Sequence, residues 1–257
     1  MQYLLKHFAE WQLCLVFVAV CIGSSMLLLW VFRNYFSITA FREHREVGSI
    51  IFGTISLIYS LILAFVIVAV WEDYEELHTD IVREAAKLTD MRFHAAELPV
   101  VLSQLVLDNV KGYAELEVKN EWTDNENSLH HNPIMLQLRH KLLIVGGQDT
   151  GKVEDINVIN KDIDDITELR YSRIGHVHSH VPFLVWVILI LGSFVMVFFS
   201  YLFVAESGSV HYLFTSILTG MLAMCLFLLF ALDHPLSGTA AVSPAPFLQA
   251  ATGGGPY

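Results

Sequence analysis

The sequence predicts an all-α membrane protein, with four transmembrane helices and a helical extramembrane domain between the second and third. Three observations carry this reading. The 257-residue chain is 54% apolar with positive mean hydropathy, which sets it apart from ordinary soluble domains. Residues 11–32, 48–71, 181–204 and 210–232 contain no Lys, Arg, Asp or Glu, and each run exceeds the ~20 residues that cross a hydrocarbon core. Residues 72–180, between the second and third runs, hold 21 of the 26 acidic and 11 of the 15 basic residues. Nearly all of the net charge of −11 therefore sits in one region. The expected organisation is an N-terminal transmembrane hairpin (1–71), a helical extramembrane domain (72–180), and a C-terminal hairpin with a short tail (181–257).

The first run is too long and too poorly flanked for a cleaved signal peptide, and it lacks a small-residue cleavage site. All three cysteines (Cys14, Cys21, Cys225) fall within spans, where they read as small apolar side chains rather than disulfide partners. With four spans, both termini and the polar domain share one side of the membrane. Arg33, Arg42 and Arg45 favour a cytoplasmic 33–47 loop, whereas Lys6, Arg83, Arg170 and Arg173 pull the other way.

The second run passes directly into acidic sequence. After Trp71 come Glu72, Asp73, Glu75, Glu76 and Asp80. Tyr74, Leu77, Ile81, Ala85, Leu88 and Met91 then recur at a spacing of three and four, one face of a helix. Nothing between Ile50 and Glu97 breaks a helix, so span and acidic segment are expected to form one rod about 70 Å long at ~1.5 Å per residue. A further helix is expected over 100–122. Residues 123–132 (TDNENSLHHN) are rich in turn formers, and 134–145 is a short helix. Ile156, Ile159, Ile163 and Ile166 restore the helical stripe before the third run. The stripes either pack on each other within one chain or line a bundle between subunits.

Two motifs point to chemistry that the sequence does not support. Gly146, Gly151 and Lys152 have the GxxxxGK spacing of a phosphate-binding loop, but Val153 stands where the magnesium-binding Ser or Thr belongs. A small helical region also lacks the parallel sheet such a loop requires, so a turn between helices is expected. His176, His178 and His180 alternate before the third run, and an extended segment would let them share a metal. On a helix, however, positions two apart face different ways. No metal, cofactor or enzymatic activity is expected. The acidity of 72–180 also argues against nucleic acid as a partner.

Small and hydroxyl residues follow one face of the second span at Gly53, Ser56, Ser60 and Ala64, and that face leads to Trp71 and Glu75. In the fourth span Ser216, Gly220 and Ala223 do likewise. Such faces serve close helix packing or a pore. Packing suits the fourth span, and the acids that end the second span's face favour a pore there. On one helix those acids are a wetted surface; repeated around an axis they form rings that concentrate cations.

The stretch YSLILAFVIVAVWEDYEELHTDIVREAAKL resembles the signature of the bacterial bestrophin-like membrane proteins. It joins a small-residue apolar span, a Trp–acid pair (Trp71, Glu72) and an EA-x-x-L pattern (Glu84, Ala85, Leu88). Tyr113 with Glu121 and Trp122, and the tail residues Pro235, Gly238, Val242, Pro244 and Phe247, also fit, although Leu236 stands where phenylalanine is usual. The resemblance implies four spans, a helical domain between the second and third, and, by extension from true bestrophins, an oligomeric ion channel in the inner membrane. It further implies that the second helices surround the axis, that the assembly is a pentamer by analogy, and that the helical domain is cytoplasmic. The expected pore-lining residues are Ser56, Ser60, Ala64 and Trp71, with Glu72, Asp73 and Glu76 as an acidic vestibule. Inorganic ions, the lipid bilayer and further copies of the chain are then the partners. Most animal bestrophins pass anions, whereas the acids here favour cations. The competing expectation is a non-conducting membrane scaffold or sensor whose helical domain binds a protein partner.

Overall fold

The computed structural model describes residues 10–35, 45–123, 132–146, 153–202, 208–236 and 241–253. The described residues form α-helices α1 (Glu10–Tyr35), α2 (Arg45–Ala95), α3 (Val100–Glu117), α4 (Ile134–Gly146), α5 (Val153–Val177), α6 (Phe183–Leu202), α7 (Gly208–Leu232) and α8 (Ala245–Thr252), with one π-helical turn at Val118–Thr123 and no strand. Most of the loop expected at 123–132, together with Gly151, Lys152 and Gly238, lies outside the described residues.

Helices α1, α2, α6 and α7 are each long and apolar enough to cross a membrane. The chain divides into two compact units. One contains Met1–Glu72 with His180–Ala240, the other Asp73–Ser179 with the tail from Ala241. The 51-residue α2 contributes its first half to one and its second half to the other.

In the apolar unit, small residues set the helix spacing. The Tyr59 ring lies where Gly192 has no side chain, since a Cβ there would stand 2.3 Å from a ring carbon. The Tyr59 hydroxyl then donates to the Leu189 carbonyl at 2.9 Å, which keeps a polar group satisfied in an apolar setting. Gly220 packs against Ile22 and Ala223 is buried, so the small face of α7 joins α1. Asp233 closes the unit, accepting from the Val181 N–H at 2.8 Å and from the Trp186 indole at 3.4 Å.

In the helical unit the two stripes legible in the sequence are buried within one chain. Leu77, Ile81, Leu88 and Met91 of α2 and Ile159, Ile163 and Ile166 of α5 are all fully buried. Helix α3 packs on α4 and α8, and α4 on α5. The short tail carries α8. It begins at Pro244 and ends at Gly253, whose φ of 81° gives the left-handed cap that glycine adopts without strain. The helix expected over 100–122 changes pitch at Val118. Beyond the change, Trp122 donates to the Val242 carbonyl at 2.7 Å and packs edge-on against Phe247.

Candidate functional site

The apolar half of α2 has two faces. Tyr59, Leu63 and Val70 are buried in their own unit, whereas Gly53, Leu57, Ser60, Ala64, Val68 and Trp71 are exposed. Among the expected pore residues, Ser60 and Ala64 therefore share an uncovered face with the half-exposed Trp71. Ser60 returns its proton to the Leu57 carbonyl at 3.0 Å. Ser56 sits at the margin of this face. Its hydroxyl donates to the Phe52 carbonyl at 2.7 Å and lies 3.5 Å from the Met196 sulfur of α6. The reason is helical phase: the three-residue step from Gly53 to Ser56 turns about 300°, roughly 60° short of a full turn.

The acids that follow take different positions. Glu72 and Glu75 are exposed. Asp73 accepts from the Ser179 hydroxyl at 2.9 Å. Glu76, still largely exposed, lies 3.0 Å from His176 Nε2. The other nitrogen of the same ring, Nδ1, lies 3.1 Å from the buried Asp80. One imidazole thus ties two carboxylates a single helical turn apart.

The three alternating histidines diverge. His176 faces α2, His178 Nδ1 lies 2.8 Å from the Ile174 carbonyl, and His180 Nδ1 lies 3.0 Å from the Asp233 carbonyl. Among the described residues no group of His, Cys, Asp and Glu is arranged to hold a metal ion. Sequence reasoning missed the carboxylates that fold places beside these rings, because they lie far away along the chain.

It also missed the strongest electrostatic feature of the helical unit. Arg173, fully buried, donates through Nε to Glu84 at 2.6 Å and through Nη2 to Glu117 at 2.8 Å. Arg170 Nε donates to Glu117 at 2.9 Å, Asn132 to Glu117 at 2.7 Å, and the Tyr113 hydroxyl to Glu84 at 2.6 Å. The Phe247 ring lies 5.3 Å from the Arg173 guanidinium carbon, close enough for a cation–π contact. Two carboxylates and two guanidiniums balance, so the cluster carries no net charge into the core.

Burial alone would lower the Arg173 guanidinium, but the charges of Glu84 and Glu117 outweigh it and hold the group above the ordinary arginine value. Burial pushes the Tyr113 phenol well above its ordinary value, and the same two carboxylates push it further. The cluster links α2, α3, α5, α8 and the start of α4, whose first N–H is accepted by Asn132 at 3.2 Å. One signal in the sequence pointed here: Glu84, Tyr113 and Phe247, three residues of the family pattern, all belong to the cluster.

Two crystal structures of a bacterial bestrophin homolog from Klebsiella pneumoniae, each carrying one mutation, align with TM-scores of 0.68 and 0.67. They are 10% and 11% identical to this chain, cover 93% of it, and are themselves covered over 97% and 96% of their length. A crystal structure of a membrane protein variant aligns at TM-score 0.66 and 10% identity, over 93% of this chain and 96% of that one. Likeness at this identity establishes the fold. Comparison with curated proteins gives no match. A family model for the bestrophin-like domain matches residues 19–247. A membrane protein with four helices able to span the bilayer, matched over most of its length by that model, this chain belongs to the bestrophin-like family.

Proposed function

We propose that the protein is an ion channel built from several copies of the chain, with the α2 helices around the conduction path and a preference for cations. The observation that carries this reading is the uncovered face of α2. An apolar helix that leaves Gly53, Ser60, Ala64 and Trp71 exposed offers small side chains to neighbouring copies and to an axis. Five copies follow from analogy with bestrophins. Ser60 and Ala64 line the path, Ser56 lies at its margin, and Trp71 forms a constriction.

Glu72 stands next to Trp71 and is exposed, so it contributes most of the negative field at the mouth. Asp73 and Glu76 contribute less, because Ser179 and His176 already engage them. Rings of such acids concentrate cations and repel anions. In this reading the assembly sits in a bacterial inner membrane with its helical unit on the cytoplasmic side.

Purified protein in liposomes under a KCl gradient tests the proposal. The expected result is a conductance whose reversal potential lies towards the potassium equilibrium value. Absence of any flux from a well-folded oligomer overturns the channel reading. Selectivity unchanged after joint neutralisation of Glu72, Asp73 and Glu76 overturns the vestibule.

A further inference from the structure

A groove of about 170 Å³ opens between α1, α6 and α7 within the apolar unit. Its size is comparable to the ~150 Å³ apolar cavity that holds a benzene molecule. Its walls are apolar side chains such as Leu28, Val197 and Leu222, but it also carries five hydroxyls: Ser24, Ser25, Ser193, Tyr201 and Thr219. Ser25, Tyr201 and Thr219 are each more than nine-tenths buried. A void filled only by acyl chains needs no such hydroxyls, since hydrocarbon cannot bond to them.

The protons of these hydroxyls can be traced one by one. Tyr201 donates to the Ser25 carbonyl at 3.0 Å. The contact between the Tyr201 and Ser25 hydroxyls, also 3.0 Å, must then use the serine proton. Thr219 donates to Ser25 Oγ at 3.0 Å. Ser24 donates to the Cys21 carbonyl at 2.9 Å. Tyr59 spends its proton on the Leu189 carbonyl, so the Ser193–Tyr59 contact uses the serine proton. Every hydroxyl proton at the groove is therefore committed within the protein, while oxygen lone pairs remain: Ser25 Oγ and the Tyr201 oxygen each already accept one bond, and Thr219 Oγ1 only donates. The thiol of Cys21 adds only a weak donor.

We infer that this groove binds a small neutral amphiphile that presents one hydrogen-bond donor, a membrane-dissolved alcohol being the simplest member of the class. The apolar walls take the hydrocarbon part, and Thr219 Oγ1 accepts the ligand's proton. Anions and pure acceptors such as ethers gain nothing there, because no donor is free to meet them. The site is independent of the conduction proposal, since it requires neither an oligomer nor a pore.

The test uses a diazirine-bearing octanol and its methyl ether, photolysed with the full-length protein in liposomes and mapped by peptide mass spectrometry. Expected is labelling concentrated on Leu28, Val197 and Leu222, reduced at least fivefold by excess octanol and at least fivefold weaker with the ether. Thr219→Val should bring alcohol labelling down to the level of the ether. Equal labelling by alcohol and ether means that the groove holds hydrocarbon only and overturns the inference, as does labelling spread evenly over lipid-facing residues. The alcohol-to-ether ratio on the unaltered protein decides the matter even if the Thr219 variant fails to fold.

Discussion

Arg173 and Glu84, 89 positions apart in sequence, meet through a 2.6 Å hydrogen bond that solvent does not reach. A buried ion pair is weak support for stability when compared with an apolar replacement, but removing one member strands the other. Arg173→Met leaves Glu84 and Glu117 buried together without their shared cation. The expected loss is about 3–5 kcal/mol, seen as a sharply lower melting temperature or failure to purify as a single species. Combining Arg173→Met with Glu84→Gln should cost less than the sum of the two changes, because neutralising Glu84 removes part of the stranded charge. Additive losses would show that the pair does not act as a unit.

The raised phenol of Tyr113 gives stability a defined alkaline limit. The folded value lies above the ordinary value of 10.0, so the contribution is fully present below pH 10. Above that pH the unfolded chain releases the Tyr113 proton while the folded chain retains it, and stability falls as pH rises. Tyr113→Phe removes this dependence while giving up the bond to Glu84, at a cost of about 1–3 kcal/mol for the buried acceptor. Melting curves from pH 8 to 11 should show the difference between the two proteins shrinking above pH 10. A constant difference would contradict the assignment.

Gly192 is expected to tolerate no side chain. A methyl group there meets the Tyr59 ring at 2.3 Å, a distance that requires the ring to move. Gly192→Ala should therefore destabilise the protein by about 1–3 kcal/mol, the usual cost of overpacking. Combining it with Tyr59→Leu should recover part of that loss by removing the obstructing ring. The readout is thermal unfolding in detergent, and a fully stable Gly192→Ala protein would show that the helices separate freely.

The features legible in the sequence were those with a local period. Four apolar runs announced four spans, and the three-four spacing of Leu77 to Met91 and of Ile156 to Ile166 announced faces that are indeed buried. What depended on distant partners was not legible. Nothing near His176 in sequence indicates Glu76 and Asp80, and nothing near Arg173 indicates Glu84 and Glu117. Phase was only partly readable, because a stripe drawn with three-residue steps drifts around the helix, and Ser56 drifted to the margin. The helix α8 was hidden because eight residues between Pro244 and Gly253 carry too few turns to show a period.

The acids beside Trp71 should differ in their effect on conduction, and their partners set the order. Glu72 is exposed, while Glu76 shares His176 with Asp80. Glu72→Gln should shift the reversal potential towards zero more than Glu76→Gln does, since neutralising an acid already facing His176 changes the outward field less. The effect should weaken at high ionic strength, because charges at a wet mouth are screened over about 8–10 Å near physiological salt and about 3 Å at 1 M. Reversal potentials of the two variants at 0.1 M and 1 M KCl measure both points. Glu72 and Glu76 lie one turn apart on the same side of α2, so a larger effect from Glu76 would show that its contact with His176 does not weaken its field at the mouth. Equal effects that persist in 1 M salt would point to a buried coordination site rather than an open vestibule.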